Sequence, residues 1–501
     1  MRICLFTVSA RGFNLPPYGI WALKAYVDKY AKENNLNVHI DVLNFGHDSS
    51  VKTIIDGIKA TNPDLVGASH YIWNDKIMMD LLPKLKEELN ENVYVIVGGP
   101  HADVTDERLK GMIINKLVDA LVIGEGEIPL FHIIKCIATG RDISPIDGLF
   151  YKKDNEIIPF KPQTISRGNL NYLPNPYKQL PELVELSLKA GSFQYETSRG
   201  CPFSCTFCDQ GHKAYRSLTM ERIKEDLEFF AKIKVKHIDF LDGTFNLNPK
   251  RTIELLNYLI NLNTDWSFHA EIKPENLTVD EINLMAKAKF QTVELGLQSI
   301  HPQTLKYIKR RNRFSVIEKN INHLLEVGIS IVINTIIGLP GESLKDWYES
   351  LDYCFNLGKV KILSNVLKIL PNTELASQIE EFGFNFSRDE LNAVRSTKYF
   401  SAQDIKKAII INKLVDVFWN KVNTPNSIKM ITNELFEGKF HLFLESVFFL
   451  INQKPELLKG NNFHNIILNE IIDSKKINND IKNTLKKQVN IDFSNQVGVI
   501  Q

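Results

Sequence analysis

Residues 197–208 read TSRGCPFSCTFC, a stretch that we call the cysteine loop because it brings Cys201, Cys205 and Cys208 within eight residues. The other three cysteines stand far apart, at positions 4, 136 and 354. Three thiolates so close together can face one metal centre. Zinc would need a fourth protein ligand, and His212 is near enough in the sequence to be considered. A four-iron cluster held by three cysteines instead leaves one iron open to bind and activate a small molecule.

The composition of the 501-residue chain is that of a globular protein with more than one core. Hydrophobic residues make up 44% of the chain, and this length predicts roughly two or three domains. With 60 Lys and Arg against 59 Asp and Glu, the net charge of +1 predicts no nucleic-acid partner. No apolar stretch reaches the length of a membrane span. Because the six cysteines form no disulfide framework, we expect a cytoplasmic location.

Strand-like and helix-like segments alternate over residues 1–141. This alternation predicts an α/β domain of Rossmann-like type, with a doubly wound parallel sheet. Ligands of such sheets bind beyond the carboxyl ends of the strands. Two glycine-rich turns lie at those ends, Gly98-Gly99-Pro100-His101 and Gly124-Glu125-Gly126-Glu127. Since glycine has no side chain, these turns would let a bulky ligand approach the backbone.

The rest of the chain divides into three parts. Residues 142–192 are rich in proline and predict a linker, with a short hairpin near residues 149–159. Residues 193–375 contain six strand–helix units, which predict a partial (β/α)6 barrel with its active site at the turns after the strands. Residues 376–501 predict a mainly helical C-terminal domain that caps the site and selects the substrate. The polar tail from Lys475 is expected to be less ordered.

The C-x3-C-x2-C spacing, with Phe207 just before the last cysteine, resembles the cluster loop of the radical S-adenosylmethionine (SAM) enzymes. The resemblance covers residues 194–375, where several strand-end motifs follow in the family's order. It implies that Cys201, Cys205 and Cys208 are catalytic residues that hold a [4Fe–4S] cluster. It further implies that the open iron binds SAM and that SAM is cleaved reductively to a 5'-deoxyadenosyl radical.

The same resemblance assigns SAM contacts to the turns after the barrel strands. The Asp242-Gly243-Thr244 turn stands where the family has a motif near the SAM amino group, although the commoner form is Gly-Gly-Glu. Arg310 matches a residue that grips the SAM carboxylate in some members, or it belongs to a solvated charge run. Glu271 could reach SAM or pair with Lys273. The implied SAM contacts are Phe207, Asp242, Gly243, Thr244, Glu271, Gln298, Ser299, Arg310, Gly338, Leu339 and Pro340.

Fragments of the first domain resemble the cobalamin-binding domain that precedes many radical SAM domains. They are Pro16-Pro17-Tyr18-Gly19 and the two glycine-rich turns. Because residues 8–19 contain no histidine, the resemblance implies a base-off cobalamin whose lower axial site is open, bound by water or approached by His70. A Rossmann-like domain for another ligand is the alternative. The implied cobalamin contacts are Ser69, His70, Tyr71, Gly98, Gly99, Pro100, His101, Gly124, Glu125 and Gly126.

These resemblances imply a cobalamin-dependent radical SAM C-methyltransferase that methylates an unactivated carbon of a natural product or peptide via methylcobalamin. The alternative within the family is oxidation, ring contraction or cyclisation without methyl transfer. A methylthiotransferase acting on tRNA would carry further N-terminal cysteines, but only Cys4 and Cys136 precede the loop. A cobalamin or redox sensor would not need a complete set of SAM-facing turns. The implied partners are a small-molecule or peptide substrate and an electron donor such as flavodoxin or ferredoxin, with no nucleic acid and no membrane.

Overall fold

The computed structural model describes residues 1–153, 156–158, 160–163, 168–211, 213–421, 425–458 and 462–497. His212, considered above as a zinc ligand, lies outside the described residues. Along the chain, a first sheet with its helices is followed by a second parallel sheet and then by a mainly helical region.

The first sheet has five parallel strands in the order 2-1-3-4-5, extended by an antiparallel hairpin. Its strands are β1 (Arg2–Val8), β2 (His39–Phe45), β3 (Leu65–Ser69), β4 (Tyr94–Gly98), β5 (Ala120–Val122), β6 (Leu149–Lys153) and β7 (Glu156–Ile158). The direction of the strand order reverses between β1 and β3. Ligands of doubly wound sheets bind at this switch point, beyond the carboxyl ends of the strands.

Helices cover both faces of the first sheet. They are α1 (Tyr18–Glu33), α2 (Val51–Ala60), α3 (Asp75–Glu88), α4 (Glu107–Ile114) and α5 (Glu127–Ala138). Alternate residues of β1 face opposite sides, so that Ile3 and Leu5 pack in a core with α1 and α5, whereas Cys4 and Phe6 pack in another with α2, α3 and α4. The predicted doubly wound sheet is confirmed.

The segment predicted as a linker contains regular structure that belongs to its neighbours. The predicted hairpin forms, but β6 pairs antiparallel with β5 and therefore widens the first sheet. Two short helices follow, α6 (Pro176–Gln179) and α7 (Pro181–Ala190). Tyr177 and Leu183 are buried in the same core as the second sheet. A domain boundary at residue 142 would thus separate the hairpin from its own sheet.

The second sheet has six parallel strands. Their order across the sheet follows their order along the chain, as expected for a partial barrel. They are β8 (Phe193–Tyr195), β11 (His237–Phe240), β12 (Ser267–Ile272), β13 (Phe290–Gln298), β14 (Ser330–Ile337) and β15 (Lys361–Val366), and the short strands β9 (Ser198–Arg199) and β10 (Arg216–Ser217) form a separate ribbon after β8. The helices between them are α8 (Met220–Lys232), α9 (Pro249–Leu262), α10 (Val279–Lys287), α11 (Pro302–Tyr307), α12 (Phe314–Glu326) and α13 (Leu344–Asn356).

The two faces of the second sheet differ in polarity. Residues such as Ile238, Ala270 and Val293 are fully buried in the main core. The residues between them along the strands are polar, and His269 lies 3.5 Å from Asp239 and 3.7 Å from Glu294. Hydrogen bonds to these two carboxylates raise the pKa of His269 to about 9. A linked row of polar side chains therefore crosses the face of the sheet opposite the core.

The C-terminal region is mainly helical, as predicted, but it begins with a small hairpin. Its elements are α14 (Ile379–Phe382), β16 (Asn385–Ser387), β17 (Ala393–Ser396), α15 (Ala402–Val415), α16 (Pro425–Phe436), α17 (Phe440–Gln453), α18 (Phe463–Ser474) and α19 (Asn479–Val497). Within the described ranges, no helix combines the length and the hydropathy needed to cross a bilayer.

The expectation of a poorly ordered tail from Lys475 is wrong for the residues described. Most of this segment is α19, whose Leu485 and Val489 are buried. Asp492 accepts a hydrogen bond from the Ser427 hydroxyl at 2.6 Å and so attaches α19 to α16. Helix α19 is polar in composition because only one narrow face of it packs against the rest of the protein. A prediction from composition alone misses this buried face.

Candidate active site

The three cysteines of the loop lie between the two strands of the ribbon, β9 and β10. The backbone N–H of Cys208 donates to the carbonyl of Cys205 at 3.2 Å, and that of Gly211 donates to the carbonyl of Cys208 at 3.3 Å. Gly200, just before the first cysteine, has a φ of +81°, and a β-carbon there would collide with the carbonyl of Ala214. Both the left-handed conformation and the close approach require glycine at this position.

The spacing of the three sulfurs separates the two metal interpretations. In a tetrahedral zinc site with Zn–S bonds of about 2.3 Å, the sulfurs lie about 3.8 Å apart. Among the described residues, the groups whose ligand atoms all fall within 4.8 Å of one another do not include the three cysteines. A [4Fe–4S] cluster takes each cysteine on a different iron and so accommodates the wider spacing. The three cysteines therefore fit a cluster that takes each sulfur on a different iron, whereas a zinc site completed by His212 would lie partly outside the described residues.

Two cations lie against the cysteine loop. The Lys273 ammonium is 4.9 Å from the ring centroid of Phe203, and Arg310 Nη1 is 3.9 Å from Cys205 Sγ. Arg310 also donates to the carbonyl of Gly296, so that it is anchored between the loop and the end of β13 rather than in a solvated charge run. Burial and the nearby Arg310 lower the pKa of Lys273. Positive charge here favours an anionic group on a ligand.

Asp242 stands at the predicted SAM motif but faces the protein interior. Its Oδ1 accepts from the backbone N–H groups of Thr197 at 2.7 Å and Ser198 at 2.9 Å, and its Oδ2 accepts from the Thr197 hydroxyl. Arg251 lies 3.8 Å away, and none of the Asp242 side chain is exposed. The Asp242 carboxylate is therefore occupied within the protein, and the predicted contact of the Asp242-Gly243-Thr244 turn with SAM stays a prediction. Asp242 ties the end of β8 to the turn after β11.

The rest of that turn is open toward the cysteine loop. Thr244 Oγ1 lies 3.9 Å from Cys201 Sγ, while it donates to the carbonyl of Gly243 at 2.7 Å. A β-carbon added at Gly243 would meet no atom of the described residues within 4 Å. The turn thus offers a free cradle beside the first cysteine, which fits a ligand such as SAM.

Gln298 and Ser299 follow β13 but differ in what their side chains do. Gln298 has a φ of +67°, and its buried Oε1 has no hydrogen-bond partner among the described residues. An unpaired buried acceptor is costly unless a ligand donates to it. Ser299 is fully buried and donates to Glu342 Oε1 at 2.6 Å. The predicted SAM contact is therefore wrong for the Ser299 side chain, whereas Gln298 fits one.

The turn after β14 backs the cysteine loop through an apolar cluster. Phe207 packs against this cluster, of which fully buried Leu339 is a member. A β-carbon at Gly338 would lie 3.2 Å from Ile405 and 3.6 Å from Val394, so the turn also contacts the C-terminal region. Because Leu339 and the neighbouring buried Pro340 point inward, their predicted SAM contact is limited to the backbone.

Glu271 remains accessible to solvent at the end of β12. Within the described part of the chain, no ion pair joins it to Lys273, which lies 3.3 Å from Glu275 instead. Desolvation by the surrounding protein and the charge of Glu294 raise the pKa of Glu271. The alternative of a pair with Lys273 is thus wrong, and Glu271 is free to accept from a ligand.

Beyond the first sheet, a buried cluster of charged residues surrounds His70. Its Nε2 lies 2.9 Å from Asp75 Oδ1, and Arg108 holds the same carboxylate with two hydrogen bonds of 2.9 and 3.0 Å. His101 packs edge-on against His70, and burial together with His70 lowers the pKa of His101 to about 4. No part of His70 is exposed, and its approach to cobalt stays a prediction.

An aromatic surface lies at the switch point of the first sheet. Tyr71 and Trp73 stack with ring centroids 4.2 Å apart, and Trp73 Nε1 donates to the carbonyl of Val8 at 3.1 Å. Trp73 is 42% exposed. An exposed flat apolar surface at this edge fits a corrin. His70, the residue before Tyr71, has a buried Nδ1 with no hydrogen-bond partner among the described residues.

The glycines of the first sheet accommodate protein rather than leaving open space. A β-carbon at Gly99 would collide with the backbone of His70, and one at Gly98 would lie 3.4 Å from Val122. A β-carbon at Gly124 would lie 2.7 Å from Gln163 Oε1, and one at Gly126 would lie 3.0 Å from Leu23. The expectation that these glycines leave room for a bulky ligand beside the backbone is therefore wrong. Their contact with cobalamin stays a prediction, as does that of exposed Pro100.

The second glycine-rich turn makes direct contact with the other domain. Arg199 Nη2 donates to Glu127 Oε1 at 2.6 Å, and its Nη1 lies 3.3 Å from Glu125. Arg216 donates to the same Glu125. Arg199 also donates from Nε to Glu196 at 2.9 Å. We call these five residues the interdomain clasp.

The side chains of the clasp are largely buried, and their opposite charges are paired with one another. The Arg199 and Glu127 side chains are 16% and 7% exposed. Burial disfavours the charged carboxylate, but Arg199 outweighs it and holds the pKa of Glu127 below its usual value. Burial raises the pKa of Glu196 to about 7 against the opposite effect of Arg199. These pairs could not be predicted from the sequence, because Arg199 and Glu127 are 72 residues apart and leave no local pattern.

Comparison with known proteins agrees with the two sites. The model of the B12 binding domain matches residues 5–134, and that of the Radical SAM superfamily matches residues 195–354. An uncharacterized methyltransferase of Pyrococcus horikoshii is 29% identical over 68% of this chain and 73% of its own length. The cobalamin-dependent radical SAM methyltransferase TokK of Streptomyces tokunonensis is 27% identical over 66% of this chain, but the alignment spans only 51% of TokK.

The fold agrees with a solved structure as well. The cobalamin-dependent S-adenosylmethionine radical enzyme OxsB, with aqua-cobalamin and S-adenosylmethionine bound, superposes with a TM-score of 0.64 over 98% of this chain and 83% of OxsB, at 15% identity. The two matched domains bring a [4Fe–4S] cluster, SAM and cobalamin as cofactors, and the sulfur spacing, the unpaired Gln298 acceptor and the exposed aromatic surface fit them. The chain belongs to the cobalamin-binding radical SAM enzymes.

Proposed function

We propose that the protein is a cobalamin-dependent radical SAM C-methyltransferase that methylates an unactivated carbon of a natural-product or peptide substrate. When bound, the cluster supplies the electron that cleaves SAM to methionine and a 5'-deoxyadenosyl radical, and cobalamin supplies the methyl group. The protein's own part is to hold these groups in one enclosed space and to orient the substrate between them.

One observation carries the proposal: the carboxyl ends of the two sheets meet. Glu127 follows β5, Arg199 follows β8, and their side chains are in contact at 2.6 Å. Arg199 is two residues from Cys201. Because both cofactor edges border the same interface, one substrate between them would face the SAM side and the cobalamin side together.

Each group of residues has a part in the proposed site. Cys201, Cys205 and Cys208 hold the cluster. Arg310 and the Gly243-Thr244 turn receive the amino-acid part of SAM, since they lie beside the cysteines and combine a fixed positive charge with an open cradle. Gln298 and Glu271 accept hydrogen bonds from its ribose, because Gln298 has an unpaired acceptor and Glu271 is open.

The domain limits proposed for these functions follow the sequence divisions. Residues 1–141, extended by the β6–β7 hairpin, bind cobalamin, and residues 193–375 bind the cluster and SAM. The C-terminal region, residues 376–501, selects the substrate, since its Val394 and Ile405 pack against the turn after β14. The substrate is a small molecule or peptide, and the electron comes from an external low-potential protein such as flavodoxin or ferredoxin.

The test uses SAM labelled with deuterium in its methyl group. The reconstituted protein is incubated anaerobically with cobalamin and a reducing system. Fractions of small molecules and peptides from cells that express the protein are added as candidate substrates. We expect deoxyadenosine and a product that has gained one labelled methyl group. A product formed without label would support oxidation, ring contraction or cyclisation instead, and absence of deoxyadenosine would overturn the assignment to radical SAM chemistry.

A further inference from the structure

The interdomain clasp has features that simple adhesion between domains does not require. Arg199 alone contacts three carboxylates, those of Glu125, Glu127 and Glu196. Two of them come from the first domain and one from the end of β8. Arg199 is therefore fixed from both domains, immediately before Gly200 and the first cysteine.

The second arginine closes the clasp on the other strand of the ribbon. Arg216, only 6% exposed, donates to Glu125, and its Nη1 lies 3.4 Å from the Tyr172 hydroxyl. The ribbon pairs Arg216 with Arg199 in register. Both strands that enter and leave the cysteine loop are thus held by one turn of the first domain.

Hydrogen bonds from Gln163 hold the glycine-rich turn of the clasp in place. The Glu125 backbone N–H donates to Gln163 Oε1 at 2.9 Å, and Gln163 Nε2 donates to the Glu125 carbonyl at 2.6 Å. Gly124 has a φ of +95°, and a β-carbon there would lie 2.7 Å from the same glutamine side chain. The carboxylates of the turn therefore project from a fixed base.

We propose that the clasp is a positioning device, in which Glu125 and Glu127 of the first domain set the distance and orientation of the cysteine loop relative to the cobalamin edge. Arg199 and Arg216 act through the backbone of the ribbon and touch no reacting atom. The identity of the two cofactors rests on the proposed function, but the contacts of the clasp do not. The position of the cluster relative to cobalamin then depends on one buried set of ion pairs.

The decisive variant is Glu127→Gln, which keeps the size of the side chain and removes its charge. Glu127→Asp retains the charge and serves as the conservative variant. The matched control is Glu88→Gln, which removes a carboxylate of the same domain from an exposed pair with Lys59 at 2.9 Å, on the face of the sheet away from α1 and α5.

The first measurement is the magnetic dipolar interaction between cob(II)alamin and the reduced cluster in the holoenzyme. We expect one narrow distance distribution for the wild type and for E88Q, a broad one for E127Q, and recovery in E127D. Deoxyadenosine formation in E127Q should stay within about twofold of the wild type, because the cluster ligands and the SAM turns lie in the other domain. A narrow distribution in E127Q, or loss of its cluster, would overturn the proposal.

The second measurement needs no cofactor and so separates this proposal from the proposed function. If the wild type takes up no cobalamin, hydrogen exchange of the cofactor-free protein still tests the clasp. We expect E127Q to accelerate exchange by about tenfold or more in the ribbon and in residues 123–127 together, with E88Q unchanged. Unchanged exchange at the ribbon in E127Q would refute the clasp.

Discussion

Glu342 shows how a single buried carboxyl group affects stability at the back of the SAM site. It is fully buried after β14 and accepts from Ser299. Burial raises its pKa from 4.5 to about 8. Because the folded state favours the protonated form, the contribution of this group to stability is complete below about pH 4.5 and is lost as the pH rises toward about 8.

We therefore expect Glu342→Gln, which imitates the protonated acid, to be more stable than the wild type at alkaline pH and similar near pH 4.5. The measurement is the thermal unfolding midpoint of both proteins across this pH range. Glu88→Gln, an exposed change, is the control and should leave the pH slope unaltered. Equal slopes for the wild type and E342Q would show that Glu342 is ionised in the fold.

At the residue scale, a sequence pattern predicts positions more readily than the roles of side chains. The spacing of the three cysteines is a local pattern that a short motif can carry, and it predicts which residues hold the cluster. Motif position says nothing about which way a side chain points, however. Asp242 and Ser299 both lie where the family's SAM turns predict them, but other turns of the protein use their polar atoms.

At the scale of elements, Asp242 joins two strand ends that enclose the site. It accepts from two backbone N–H groups after β8, and such charged hydrogen bonds are strong. We expect Asp242→Ala to leave these N–H groups unpaired and to cost about 2–4 kcal/mol of folding free energy. Chemical denaturation measures this loss, and the iron content after reconstitution should fall with it.

The neighbouring Gly243→Ala separates support of the fold from binding of SAM. Open space surrounds the added β-carbon, so we expect the unfolding free energy of G243A to be within about 0.5 kcal/mol of the wild type. Its affinity for SAM should nevertheless fall, since the methyl group would occupy the proposed cradle. Unchanged SAM affinity in equilibrium binding would place SAM elsewhere.

The elements themselves were largely predictable, because hydrophobic periodicity is a local property. The five parallel strands of the first sheet and the number of strands in the second were expected from it, but the sixth strand of the second sheet, predicted at residues 365–370, lies at Lys361–Val366. The pairing of β6 with β5 was not expected, since an edge strand joins a sheet through contacts distant in sequence. Helix α19 was missed because its buried residues, such as Leu485 and Val489, are few among many polar ones.

At the scale of the whole molecule, the order of the domains was predictable but their contact was not. The glycine-rich turn Gly124-Glu125-Gly126-Glu127 was interpreted as a ligand contact, but the sequence did not indicate that its carboxylates bind Arg199 and Arg216. The side chains of such interfaces lie far apart in the sequence and at no characteristic spacing, so that a sequence motif does not reveal them. The consequence is functional, because the same turn lies at the proposed cobalamin edge and contacts the ribbon that carries the cysteine loop.

The whole account depends on an iron–sulfur cluster held by three cysteines with one open iron. The most direct measurement is iron content and deoxyadenosine formation after anaerobic reconstitution of the wild type and of Cys205→Ala, with Cys354→Ala, a buried isolated cysteine, as the control. We expect about four irons per chain and SAM cleavage in the wild type and C354A, and loss of cleavage in C205A. Zinc in place of iron, or deoxyadenosine formed by C205A at the wild-type rate, would contradict the account.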